Sequence, residues 1–186
     1  MTDVVHTIGH STRPIEDFLA LLQREDIHAL VDVRAFPMSR RHPHFNRDPL
    51  AAALSAHAIS YTHAPALGGR RQLHASSTNT AWRNESFRAY ADHMATPEFR
   101  QAIDELIASA RRVPTTIMCA EAVPWRCHRG LIADALVARR CEVRHVLDAG
   151  TQLHSLTAFA RVVGDEVTYP SPRENATEQA ELFGRG

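Results

Sequence analysis

Residues 117–137, IMCAEAVPWRCHRGLIADALV, crowd two of the chain's three cysteines, a carboxylate, an imidazole and two guanidiniums around one turn. Cys119 and Glu121 close an apolar run, and a helical pattern opens at Cys127-His128-Arg129. A thiol at a helix start meets unpaired N–H groups and the positive end of the dipole, which favour its thiolate. Glu121, beside a cysteine and next to Arg126 and Arg129, has the make-up of a base or nucleophile with an anion clamp. The spacing excludes two familiar arrangements. From Cys119 to Arg126 is one residue longer than the CxxxxxR loop of cysteine phosphatases, and Cys119 to Cys127 is not the CxxC of a zinc ribbon. A Cys2His or Cys/His/Asp site for a divalent metal stays open as a lesser reading, and so does plain packing of both thiols.

Other residues could take part. His10 follows a glycine and precedes a helix start, so it could move protons or serve only as a structural donor. Asp32 sits inside the apolar stretch LVDV, where a carboxylate needs a partner. Arg34, two residues on, lies on the same strand face and could brace it. The alternative is a carboxylate with a raised pKa acting as base or nucleophile. SRRHPHF gathers Arg40, Arg41, His42 and His44 between Phe36 and Phe45. With Arg34 and Arg70 this reads either as a solvated loop or as a cationic, partly aromatic rim for a phosphate-bearing ligand. Gly68-Gly69 could turn the chain tightly or offer N–H groups to an anion, although no P-loop or dinucleotide fingerprint surrounds them.

These residues need elements to position them. VVHTIG (4–9), HALVDVR (28–34), ISYTHA (59–64), VPTTIMCA (113–120) and EVRHVLD (142–148) read as strands. Helical spacing marks 14–25, 48–58, 85–95, 97–112 and 127–140. Ser11 and Thr12 can cap the first helix, and Thr96-Pro97 divides the third from the fourth. The alternation predicts a three-layer α/β fold of Rossmann-like type, with a mostly parallel sheet of about five strands covered by helices on both faces. One domain over 1–169 with a mobile tail over 170–186 is expected, TEQAELF within the tail adding at most a helical turn. In such sheets ligands bind outside the carboxyl ends of the strands. Gly9-His10-Ser11, Asp32 to Arg41, Leu67 to Arg70, Cys119 to Glu121, and His145 with Asp148 all fall at or near those ends.

The motifs TIGHSTRPIEDFLALL, LVDVRAFPMSRRHPHFN, ALGGRR, FRAYADHM and MCAEAVPWRCHRGLIADAL with VRHV, in this order, resemble the family called domain of unknown function 488. The resemblance spans roughly 5–147 and implies a compact cytoplasmic α/β protein of prokaryotic type. It implies no particular activity, so the function must be argued from the residues.

Composition narrows the classes. The 186 residues suit one domain with a sizeable core, and 44% hydrophobic with 23% charged content suits a globular chain. No apolar run is long enough for a membrane span, and no signal peptide opens the chain, which points to the cytoplasm, where cysteines stay thiols. Net charge is zero, and all 21 basic residues are arginine. A neutral chain with a local cationic rim favours a specific anion site over general coating of nucleic acid.

The expectation is therefore an enzyme acting on a nucleotide or nucleic acid, at an N-glycosidic or phosphoester bond. Asp32, Glu121, His10, His128, Cys119 and Cys127 would be its catalytic groups. Arg34, Arg40, Arg41, Arg70, Arg129, Ser11 and Gly69 would hold phosphate. The alternatives are a non-catalytic nucleic-acid-binding protein and a thiol- or metal-based sensor.

Overall fold

The computed structural model describes residues 2–171. In chain order the elements are β1 (Val4–Gly9), α1 (Ile15–Arg24), β2 (Ala29–Asp32), α2 (Arg47–Ser55), β3 (Ser60–His63), α3 (Glu85–Met94), α4 (Pro97–Ala110), β4 (Thr115–Cys119), α5 (Arg129–Ala138), β5 (Glu142–Leu147), β6 (Gly150–Leu153), β7 (Arg161–Val163) and β8 (Glu166–Thr168). Short 3-10 turns cover Pro43–Phe45, Pro65–Leu67 and Pro124–Arg126, each led by a proline whose fixed φ suits a first turn.

The six-stranded sheet runs in the order β3-β2-β4-β1-β5-β6. Its first five strands are parallel, and β6 is antiparallel to β5. Period-two alternation divides the apolar residues between two cores. Val5, Val31, Ile117 and Val143 face α3, α4 and α5. Ile8, Leu30, Met118 and Val146 face α1 and α2. The expected three-layer, mostly parallel α/β architecture is what the chain adopts.

Local chemistry sets the helix boundaries. Asn84 caps α3 by accepting from the Ser86 and Phe87 N–H groups. Thr96 caps α4 by accepting from Phe99, with Pro97 in the first turn. α5 starts later than its pattern predicts: Cys127 and His128 lie ahead of the helix, because Pro124 draws the preceding residues into a 3-10 turn.

Three strands exceed the expected five. β6, β7 and β8 are short and mostly exposed, so they lack the apolar alternation that marks a strand in sequence. The β7–β8 hairpin turns at Gly164, whose φ of 60° is in the left-handed region. Beyond it Tyr169 is fully buried, its backbone bonded to Asn79 and Ala81. The expected tail lies outside the described residues from 172 onward. Among the described residues, no helix is long and apolar enough to cross a membrane.

β1 and β4 are neighbours, yet the chain leaves them on opposite faces, through α1 from one and through α5 from the other. The sheet therefore has its topological switch point at their carboxyl ends, where a crevice opens between the diverging connections.

Candidate functional site at the switch point

A cavity of about 720 Å³ fills that crevice. Its floor is the paired ends of β1 and β4. Gly9 lies opposite Cys119, and the chains stay paired past the strands as His10 N–H donates to Cys119 O and Ser11 N–H to Ala120 O, both at 2.9 Å. Gly9 is required here: a Cβ would fall 1.8 Å from the Glu121 carbonyl oxygen. Ser11 takes a φ of 52° to turn the chain away toward α1.

Of the residues expected to act catalytically, His10, Cys119, Glu121, Cys127 and His128 line the cavity. So do Ser11, Arg34, Arg41, Gly69 and Arg70 from the expected anion-binding set. Asp32, Arg40 and Arg129 do not line it. Asp32 is fully buried behind Arg34. Its oxygens receive Arg34 Nε at 2.9 Å, Arg34 Nη2 at 2.6 Å, the Arg34 backbone N–H at 3.0 Å and the Tyr61 hydroxyl at 2.8 Å. A carboxylate so fully bonded braces Arg34, which also donates to Phe45 O at 2.8 Å. Burial and the Asp32 charge in turn raise the Tyr61 hydroxyl pKa.

Arg129, expected on the rim, is turned inward and 1% exposed. Its guanidinium donates to the carbonyls of Glu121 and Ala122 and to Thr7 Oγ1. It fixes the loop that carries Glu121, because unpaired carbonyls near a buried strand end need donors. Arg40 is exposed and does not line the cavity.

The remaining charges are uncommitted. Among the described residues, Arg41, Arg70 and Arg126 make no side-chain hydrogen bond or ion pair, and neither does the exposed Glu121 carboxylate. Arg70 stacks over the exposed Phe36, its guanidinium carbon 5.3 Å from the ring centroid. Three free guanidiniums and one free carboxylate thus surround the cavity mouth.

The histidines differ in state. His10 is stacked on Phe45 at 4.3 Å, and its Nδ1 lies 2.8 Å from Ser11 O, to which it donates. Its Nε2 therefore presents a lone pair, 3.4 Å from Arg34 Nη1. Burial pushes its pKa down to about 4, so His10 is neutral at pH 7. His128 places Nε2 3.0 Å from Val33 O, to which it donates, and its Nδ1 faces Cys127 Sγ at 3.7 Å. Gly69 leaves room for this ring, since a Cβ there would come within 2.5 Å of Nδ1. Hydrogen bonding from Cys119 pulls the Cys127 pKa well down, and the same bond raises that of Cys119.

Ser86 and Phe87, in the first turn of α3, also line the cavity and were not expected there. The signal for them is indirect: Asn84 fixes that turn at the end of the polar loop that begins with Gly68-Gly69. His145, read near the carboxyl edge, lies elsewhere, within a buried chain of polar groups. Its Nδ1 meets Thr7 Oγ1 at 2.7 Å and its Nε2 meets His154 Nδ1 at 2.9 Å. His154 Nε2 reaches Asp134 Oδ1 at 2.9 Å, and the Tyr169 hydroxyl donates to Asp134 Oδ2 at 2.8 Å. Asp148 pairs with Arg13 at 2.8 Å.

No curated protein and no solved structure shows significant similarity to the chain. A family model does match, over residues 14–136, a span that carries the loop of Arg34 to Arg41, the Gly68-Gly69 turn and every thiol, carboxylate and imidazole of the cavity except His10. That span is more than half of the 186 residues, and the chain belongs to the DUF488 family, a domain of unknown function.

Proposed function

We propose that this protein is an enzyme acting on a nucleotide or a nucleic-acid end, with a phosphate group held at the mouth of the switch-point cavity. The observation that carries the reading is the set of three guanidiniums, Arg41, Arg70 and Arg126, without hydrogen-bond or ion-pair partners among the described residues and gathered at one cavity in a chain of zero net charge. Guanidiniums recognise phosphate oxygens in pairs, and their concentration at one crevice selects a specific anion. Arg34, locked by Asp32, presents its Nη1 from behind the cavity. The exposed Phe36 ring under Arg70 offers a stacking surface for a base.

Glu121 is the reacting carboxylate of this proposal. It is exposed in the cavity, free of ion pairs among the described residues, and fixed through its backbone by Arg129. N-glycosidic cleavage by two carboxylates is the weaker option, because Asp32 is fully bonded and does not line the cavity. Phosphoester hydrolysis needs one carboxylate to accept a proton from water and cations to stabilise the developing phosphate charge. Glu121 and the rim arginines suit those tasks. We place the activity in the cytoplasm, where the thiols at the cavity stay reduced.

A second reading has its own support. Phe36 and Met38 are 66% and 78% exposed at the cavity mouth, as suits a surface for single-stranded nucleic acid without turnover. Binding of nucleoside mono- and diphosphates and of a short single-stranded oligonucleotide, at low and high salt, tests both. Turnover lost and binding kept in Glu121→Gln supports the enzyme; wild-type binding without turnover supports the second reading. Absence of anion binding at low salt ends both.

A further inference from the structure

Cys119, Cys127 and His128 converge from three different local settings. Cys119 ends β4, Cys127 closes the 3-10 turn of Pro124–Arg126, and His128 caps α5. Their Sγ, Sγ and Nδ1 atoms all lie within 4.8 Å of one another, and Cys127 Sγ is 3.7 Å from His128 Nδ1. With zinc–sulfur bonds of about 2.3 Å and zinc–nitrogen bonds of about 2.0–2.1 Å, a tetrahedral ion sets its sulfurs about 3.8 Å apart and sulfur to nitrogen about 3.6 Å apart. The three donors are thus close to the spacing such an ion needs.

The surroundings hold the imidazole in the liganding state. Its Nε2–H donates to Val33 O at 3.0 Å, which leaves the Nδ1 lone pair facing the sulfurs. A carbonyl on the far nitrogen is the usual support of a metal-bound histidine, fixing both tautomer and ring orientation. Val33 is itself tied to β4 by its N–H to Met118 O at 3.0 Å, so strand pairing sets the ring position. Gly69 leaves the ring its room. All three donors are sulfur or imidazole nitrogen, a set that favours zinc over magnesium or calcium. The two thiols line the 720 Å³ cavity although little of either is exposed, so an ion can reach them.

We infer that Cys119, Cys127 and His128 hold a zinc ion whose fourth coordination position opens into the cavity beside Glu121. Three protein ligands and one open position are the pattern of catalytic rather than structural zinc. The role of such an ion rests on the phosphoester reading above, for which it would bind a water or a phosphate oxygen. Its binding needs no substrate, so the two ideas fail separately: phosphate can bind the arginines of a zinc-free protein, and zinc can bind where phosphate does not.

The test uses the full chain, expressed with zinc and purified under reductant without chelator. Elemental analysis should find one zinc per chain. Cobalt(II) exchanged into the site should give thiolate-to-cobalt charge-transfer absorption and tetrahedral visible bands. Alkylation of the zinc-loaded protein should spare Cys119 and Cys127 although both line the cavity. Removing the ion should then expose the cavity thiols to the reagent. Cys127→Ser and His128→Ala should each weaken zinc binding by more than about 100-fold, the loss of a direct ligand exceeding that of an outer-shell partner. Cys141→Ser should bind zinc unchanged. A reduced, folded protein that takes up neither metal overturns the proposal. Metal retained by Cys127→Ser overturns it too, as does a Cys119–Cys127 disulfide in protein purified without reductant. If the variants fail to fold, alkylation protection in the wild-type chain still decides.

Discussion

Two clusters of ionisable groups, one around Asp134 within α5 and one at the cavity mouth ahead of α5, are built in opposite ways. On one side, Asp134 accepts from Tyr169, His154 and the Thr157 N–H, while His154 continues through His145 to Thr7. Asp134 is fully buried with partners at both oxygens, as a carboxylate in low dielectric must be. On the other side, the cavity mouth leaves Arg41, Arg70, Arg126 and Glu121 without partners among the described residues. Each cluster is polar, yet only the second has charge left over for a ligand. The composition of a polar cluster therefore says less about function than whether its donors and acceptors are already matched within the chain.

Removing the carboxylate from the matched cluster should have the greatest consequence. Asp134→Ala should cost on the order of 3–5 kcal/mol of stability, because the Tyr169 hydroxyl, the Thr157 N–H and His154 lose their acceptor inside the protein. Chemical denaturation measures it. A loss below 1 kcal/mol would mean that water replaces the carboxylate and the side is not sealed.

Acidification acts next. Burial lowers the pKa of His10 and of His145 to about 4 in the folded chain, against 6.5 for the ordinary imidazole. Between those values the unfolded chain binds more protons than the folded one, so stability falls as pH drops from about 6.5 toward 4 and is fully present above that window. Each histidine should contribute on the order of 2–3 kcal/mol. Thermal melts at a series of pH values follow the loss, and a flat profile from pH 7 to 4 would contradict both buried neutral imidazoles.

Arg70→Ala moves the other side alone. Phosphate or nucleotide affinity should fall by about 1–3 kcal/mol if the contact is a charge-assisted hydrogen bond, with a shallower salt dependence. The melting temperature should hold, because Arg70 is exposed and, among the described residues, makes only the ring contact with Phe36. Arg34→Ala should do the reverse to stability, since it strips the partner from buried Asp32. Calorimetry and melts on the two variants separate bracing from binding.

The smallest expected effect is on the stability of Glu121→Gln. An exposed carboxylate without an ion pair among the described residues should change it by less than about 0.5 kcal/mol while any turnover disappears. A marked destabilisation would show that Glu121 belongs with the matched groups.

Local residue patterns settle where chemistry can gather. Short apolar runs set five parallel strands, 3.6-period runs set five helices, and together they placed Gly9-His10, Arg34, Gly68-Gly69 and Cys119-Ala120-Glu121 at one sheet edge. Those are local properties, because backbone hydrogen bonding imposes its period on each segment independently. Which charges were free was decided by the tertiary structure alone. Arg34 and Arg129 read like Arg41 and Arg70, yet burial turned the first two into braces for Asp32 and for the Glu121 loop. Thr7 meets His145 across 138 positions of sequence, and Tyr169 finds Asp134 from a hairpin too short and too polar to announce itself. Gly69 leaves room for the ring of His128, so a glycine in one loop decides the orientation of an imidazole in another. A side chain's partner depends on how whole layers pack, and no local pattern carries that information.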